Sequence, residues 1–113
     1  MPQIIHFLLL PGFSAMGFIS ALEPLRVANR FKGPSYCWQV LSLDGGAVQA
    51  SNGMSVNADA ALGAGEASGI LLIVAGFEPL ACYGPPLQQA LRRLDHDGVI
   101  LGGIDTGAVV LAE

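Results

Sequence analysis

Positive charge is scarce in this 113-residue chain: five Lys and Arg stand against nine Asp and Glu, a net charge of −4. A segment so poor in cations cannot neutralise many phosphates, so on its own it is not expected to grip nucleic acid. Cysteine is nearly absent. Cys37 and Cys82 lie 45 positions apart, with no Cys-x-x-Cys and no neighbouring His, which excludes a zinc ribbon and a disulfide-dense secreted scaffold and fits a reducing compartment. Long apolar runs are missing too. The strongest, Ile4 to Leu10, is interrupted by His6 and closed by Pro11-Gly12, well short of the roughly 18 residues that span a bilayer. The opening Met1-Pro2-Gln3 is uncharged and the first Arg comes at position 26, unlike a secretory signal. A cytoplasmic protein with no membrane contact is the expectation. What the chain does have is 52% hydrophobic residues and 15 Gly, enough apolar content for one folded domain.

Ile4 to Leu10 reads as a strand buried on both faces. Ser14 then offers an N-cap to a helix over about 15–31, with Met16, Ile19, Leu22 and Leu25 at helical spacing and Lys32-Gly33-Pro34 as its stop. Pro24 inside it predicts a kink or local break. Tyr36 to Leu43 reads as a second strand ended by Asp44-Gly45-Gly46, and Val48–Ala50 with Met54–Asn57 as a small hairpin whose Asn52-Gly53 supplies positive φ. Ala58 to Ser68 has no usable periodicity and reads as loop. Ile70 to Ala75 is a further buried strand, Pro85-Pro86 open an amphipathic helix through Leu87, Leu91 and Leu94, and Gly98 to Leu101 is the last strand. Gly102 to Gly107 reads as a sharp turn into a final helix from Ala108. Alternating strands and helical crossovers predict an α/β fold, a mainly parallel sheet with helices on both faces.

Ligand sites in such sheets lie beyond the carboxyl ends of the strands. Those ends are Pro11 to Met16, Gly76 to Cys82 and Gly102 to Gly107, three loops expected to converge. The Gly-rich elbow would present Asp105 above the sheet. That carboxylate could cap the helix behind it, contact a ligand, or take part in catalysis, although a carboxylate nucleophile needs a polarised partner that the sequence does not supply. His6 reads as a hydrogen-bonded core histidine and His96 as a cation at a helix C-terminus, with no metal set around either. Cys82 reads as an inert thiol, Tyr36 and Trp38 as core aromatics, and Glu23 with Arg26 as a surface pair.

Several blocks taken in order carry a resemblance: Phe7-Leu8-Leu9-Leu10-Pro11-Gly12-Phe13, Glu23-Pro24-Leu25-Arg26-Val27-Ala28-Asn29, Leu43-Asp44-Gly45-Gly46 with Ser51-Asn52-Gly53-Met54, and Gly103-Ile104-Asp105-Thr106-Gly107-Ala108. Together they resemble the N-terminal sensor domain of GlxA-like regulators of the AraC family, and within it the regulators of choline, betaine and carnitine catabolism. The resemblance implies a PfpI-like, class I glutamine amidotransferase-like fold of flavodoxin-like three-layer build. It implies a small-molecule effector, a quaternary or methylated amine, and DNA contact only through a helix-turn-helix domain downstream.

Two positions depart from the enzymes of that fold. Asp105 stands where catalytic members carry the nucleophilic Cys, and Gly17, five residues after Gly12, stands where they carry an acid. A sensor without catalysis, cofactor or metal is therefore expected, with Met16, Gly17, Phe77, Glu78, Asp105 and Thr106 as its ligand-binding residues, the carboxylate of Asp105 meeting a cationic head. The family's sensor continues for several more strands and helices, so residues 1–113 are expected to be the N-terminal part of one ligand-sensing domain. An exposed sheet edge would favour a homodimer. A hydrolase or isomerase using Cys82 or Asp105, or a pure assembly module, are the alternatives.

Overall fold

In the computed structural model, residues 3–33, 35–62, 69–76 and 84–112 are described. The first strand, β1 (Gln3–Leu9), leads through α1 (Ala15–Lys32) to β2 (Tyr36–Ser42). A two-stranded hairpin follows, β3 (Val48–Gln49) with β4 (Ser55–Val56), then the short β5 (Ala60–Ala61). The chain then forms β6 (Ile70–Val74), α2 (Pro85–His96), β7 (Ile100–Ile104) and α3 (Gly107–Ala112). The main sheet runs β5-β2-β1-β6-β7 with every pairing parallel, as expected from the sequence.

From β1 the chain steps one way to β2, and from β6 it steps the other way to β7. Right-handed crossovers taken in opposite directions put their helices on opposite faces of the sheet. Two apolar clusters record this. Phe7 and Leu9 of β1 pack with Phe13, Phe18 of α1 and Val48, whereas Leu8 packs with Ile73, Leu91 of α2 and Val110 of α3. Central β1 is therefore apolar at successive positions, and Phe7, Leu8 and Leu9 are fully buried. Phe18 is the pivot of the α1 side, meeting Phe7 edge-on at 5.4 Å between ring centroids and Phe13 at 6.1 Å.

Four local features differ from the sequence reading. Helix α1 runs unbroken through Pro24. Both Pro24 and Ser20, whose carbonyl loses its donor, lie on the exposed side, where water can take that carbonyl. Part of the expected loop at 58–68 forms β5, an edge strand on β2, held by Asp59 Oδ2 accepting the Val40 N–H at 2.8 Å and by Leu62 N–H donating to Ser42 O at 2.8 Å. In the hairpin turn only Gly53 takes positive φ. Asn52 contributes instead through its side chain, Oδ1 accepting the Met54 N–H at 3.0 Å. Finally, β7 extends through Gly102 and Gly103 to Ile104, so these glycines belong to the strand and not to the turn. A Cβ at Gly102 would lie 2.7 Å from Leu72 Cδ2, and one at Gly103 would lie 2.3 Å from the Ala108 nitrogen. Close neighbours, not a bend, require their small size.

Candidate functional site

The sheet reverses its direction of growth between β1 and β6, and the crevice beyond the carboxyl ends of such neighbours is where open α/β sheets bind ligands. A cleft of about 360 Å³ opens there, lined by Ser14, Met16, Ser51, Gly76, Asp105 and Thr106. Its first wall is the turn after β1. Ser14 N–H donates to Ala75 O at 3.3 Å, and Ser14 Oγ accepts the Gly17 N–H at 3.0 Å, capping α1 as the sequence predicts. The backbone of Gly12 presses directly on Gly76: a Cβ at 76 would sit 2.1 Å from Gly12 O. Only glycine can occupy that position without displacing the floor of the cleft.

The second wall is the β7–α3 elbow. Asp105 has φ +56°, the single non-glycine residue with positive φ among the described residues, a conformation that Asp tolerates better than most side chains. Thr106 Oγ1 donates to Gly76 O, tying the elbow to the loop after β6. Gly107 completes the turn: a Cβ there would lie 1.9 Å from Ile73 O, so α3 starts in direct contact with the β6 backbone. The Val109 N–H reaches Thr106 O at 2.9 Å. The capping role open to Asp105 from sequence is not the one it plays, because its carboxylate accepts no hydrogen bond among the described residues. It is exposed and lines the cleft.

The polar groups divide simply. Ser14 Oγ and Thr106 Oγ1 are engaged with the protein backbone, and Asp105 is the one charged side chain among the described lining residues. Of the six residues expected from sequence, Met16, Asp105 and Thr106 meet in the cleft. Gly17 is beside it, its N–H taken by Ser14 and its Cα facing Ile104 Cγ2, which a Cβ would approach to 3.3 Å. Phe77 and Glu78, like Cys82, lie outside the described residues. Ser51 is the lining residue that sequence reasoning missed. It arrives through a parallel bridge between Phe13 and Ala50 and the Ser51 N–H to Phe13 O bond of 2.9 Å, a long-range contact with no local signature.

Other residues have structural roles. His6 is buried in β1 with Nδ1 3.2 Å from Gln39 Oε1, an acceptor that calls for the proton on Nδ1, and its Nε2 has no partner among the described residues. Tyr36 and Trp38 pack against the α1-side core. Asn29 Oδ1 accepts the Ser35 and Tyr36 N–H groups at 3.0 and 2.9 Å while its Nδ2 donates to Tyr36 O at 2.8 Å, so it locks the end of α1 to the start of β2. Among the described residues no group of His, Cys, Asp and Glu could hold a metal ion, and no helix is long and apolar enough to cross a membrane.

No family model matches the chain. Individual relatives do. It is 65% identical over 113 residues to the HTH-type transcriptional regulator CdhR of Pseudomonas aeruginosa, covering 100% of this chain and 34% of that protein. It is 40% identical over 112 residues to the HTH-type transcriptional regulator GlxA of Rhizobium meliloti, covering 97% of this chain and 35% of that one. The solved structure of an AraC family transcriptional regulator from Pseudomonas putida matches with a TM-score of 0.80 at 30% identity, over 90% of this chain and 64% of that chain. The chain is similar to the N-terminal part of GlxA-like, AraC-type regulators. It spans about a third of the length of these curated relatives, matching their N-terminal part. A ThiJ/PfpI domain protein from Brachyspira murdochii matches with a TM-score of 0.78 at 19% identity, over 99% of this chain and 64% of that one, a likeness of fold alone. The segment thus carries a parallel five-stranded sheet of the PfpI type.

Proposed function

We propose that this chain is the effector-sensing portion of a GlxA-like transcriptional regulator, that it is non-catalytic, and that its effector is a small quaternary or methylated amine bound at the Asp105 elbow. The observation carrying the reading is the carboxylate of Asp105 at a positive-φ elbow, lining a cleft, with no capping bond and no cationic lining side chain among the described residues. An anion in a small concave site favours a cation of matching size. Met16 adds a polarisable thioether, and two flanking hydroxyls hold the walls in place. Catalysis is disfavoured because a nucleophilic Cys is replaced by Asp105 and Gly17 supplies no acid. Effector binding would act on transcription through a downstream DNA-binding domain and the arrangement of a homodimer, provided the effector binds the two arrangements with different affinity.

Thermal melts test this. Carnitine, glycine betaine, dimethylglycine and choline are compared with uncharged amino acids. A ligand present at 100 times its dissociation constant adds about 2.7 kcal/mol, which moves the midpoint of a domain this size by roughly 10 °C. A selective rise with a methylated amine, abolished by Asp105→Asn, is the expected result. A flat response across the panel in a full-length GlxA-like regulator containing this segment overturns the assignment.

A further inference from the structure

The cleft beside Asp105 has a third wall, and it comes from the smallest element of the fold. The β3–β4 hairpin has two residues in each strand, and an isolated two-stranded hairpin is barely stable in water. Here it is held from outside. Gly12 N–H donates to Gln49 O at 2.8 Å and Ser51 N–H to Phe13 O at 2.9 Å, on either side of the Phe13–Ala50 bridge, while Val48 and Ala50 are buried in one cluster with Phe13 and Phe18. The tip also satisfies its own backbone. Ala50 N–H reaches Met54 O at 2.7 Å, Gly53 N–H reaches Ala50 O at 3.0 Å, and the Asn52 side chain takes the Met54 N–H at 3.0 Å.

None of these bonds uses the hydroxyl of Ser51, which lines the cleft and has no hydrogen-bond partner among the described residues. Its polar neighbours in the cleft are more committed. The Thr106 hydroxyl gives its proton to Gly76 O, and Ser14 Oγ spends a lone pair on the Gly17 N–H. Asp105, when ionised, can only accept. Ser51 is therefore the lining hydroxyl with both its proton and its lone pairs uncommitted among the described residues, on a backbone that packing and main-chain bonds hold still. Room exists for it to act. At about 360 Å³ the cleft lies within the range of small-molecule sites and exceeds what a trimethylammonium head alone would fill.

We infer that Ser51 is a specificity-determining residue of the cleft, its hydroxyl donating to a hydrogen-bond acceptor that the effector carries apart from its cationic head. The inference rests on the effector reading above and divides the labour within it. Asp105 attracts the charge of the head, which every quaternary amine offers equally, whereas Ser51 distinguishes amines by what else they bear. A site that hydrogen-bonds one group of its ligand rejects an analogue lacking that group. The hairpin thus serves the cleft as a rigid mount for one hydroxyl, and its ties to the turn after β1 fix the position at which an acceptor is met.

Titration calorimetry on a full-length GlxA-like regulator containing this segment tests it with three probes. Glycine betaine and carnitine carry a trimethylammonium head and a carboxylate; tetramethylammonium carries the cation alone. Ser51→Ala is expected to raise the dissociation constant of the better-bound carboxylate by about tenfold or more, the loss of one hydrogen bond to a charged acceptor, and to leave that of tetramethylammonium unchanged. Ser51→Thr, which keeps the hydroxyl, should retain the preference. Because the Ser51 hydroxyl has no internal bond among the described residues, the unliganded Ser51→Ala variant should melt at the same temperature as the unaltered protein. A preference for the carboxylates that survives Ser51→Ala overturns the inference. So does an equal weakening of all three probes, the mark of a hairpin residue with a structural role only. Asp105→Asn separates the two readings: binding that responds to Asp105→Asn but not to Ser51→Ala sinks this inference alone, binding indifferent to Asp105→Asn sinks the effector reading, and no binding of any probe sinks both.

Discussion

Replacing Gly107 by Ala gives a severe test of the elbow, because local propensity and the observed packing predict opposite signs. Position 107 opens α3, and Ala is favoured over Gly inside a helix by up to about 1 kcal/mol. The added Cβ, however, would lie 1.9 Å from Ile73 O and 2.8 Å from Ile73 C, whereas carbon–oxygen contacts ordinarily settle near ~3.3–3.6 Å. Ile73 is a central residue of β6, hydrogen-bonded between β1 and β7, so α3 must move. Moving it strains the core by about 1–3 kcal/mol and lifts Val110, 1% exposed, partly out of a burial worth about 1.5–3 kcal/mol. After subtracting the propensity gain, the net loss is about 3 kcal/mol. At a urea dependence of about 1.5 kcal/mol per M, the unfolding midpoint falls by about 2 M. Gly12→Ala is the control. Gly12 has φ +80° and nothing within 4 Å of a new Cβ, so it carries only the backbone penalty of about 1–2 kcal/mol, partly offset in the unfolded chain. If Gly107→Ala leaves the midpoint higher than Gly12→Ala does, α3 does not start against β6 and the elbow geometry is wrong.

Three further outcomes follow from named contacts. Ser14→Ala removes the cap on Gly17 N–H and should lower stability by about 1 kcal/mol in the same urea titration. Asn29→Ala deletes all three bonds between the end of α1 and residues 35–36; a loss of about 1–3 kcal/mol should be accompanied by faster hydrogen exchange at the Tyr36 amide. Asp105→Asn keeps a residue tolerant of positive φ and removes only charge, so stability should stay within about 0.5 kcal/mol while any amine-induced rise in melting temperature disappears.

The two central strands were readable because burial on both faces leaves a plain mark: apolar runs at Ile4–Leu10, broken only by His6, and at Ile70–Ala75, each closed by glycine or proline. Helix α2 announced itself through Pro85-Pro86 and the Leu87, Leu91, Leu94 spacing. Two of the misreadings share a cause, which is that the deciding partner was distant in sequence. Two alanines carry no strand pattern, and β5 exists because Asp59 and Ser42 fasten it to β2. Gly102 and Gly103 look like turn residues until Leu72 and Ala108 are seen to need the space. The elbow motif pointed to Asp105, but that its carboxylate leaves α3 uncapped depends on a backbone angle no composition reveals. In the Glu23-to-Asn29 block the informative member is Asn29, and its role is to fasten a helix to a strand.

The strand order also dictates a timetable for synthesis. β1 leads the described sheet and becomes its middle strand, with β2 on one side and β6 on the other. Ile5 finds its partner in β6 only at Ile70, roughly 3–13 s later at a translation rate of about 5–20 residues per second. For that interval an almost wholly apolar strand has at least one naked edge, and its contacts are of the non-local kind that close slowly. A nascent-chain ribosome stalled before β6 should therefore recruit holdase chaperones more strongly than one stalled after β7, which makes the innermost strand of the finished fold its most exposed liability during birth.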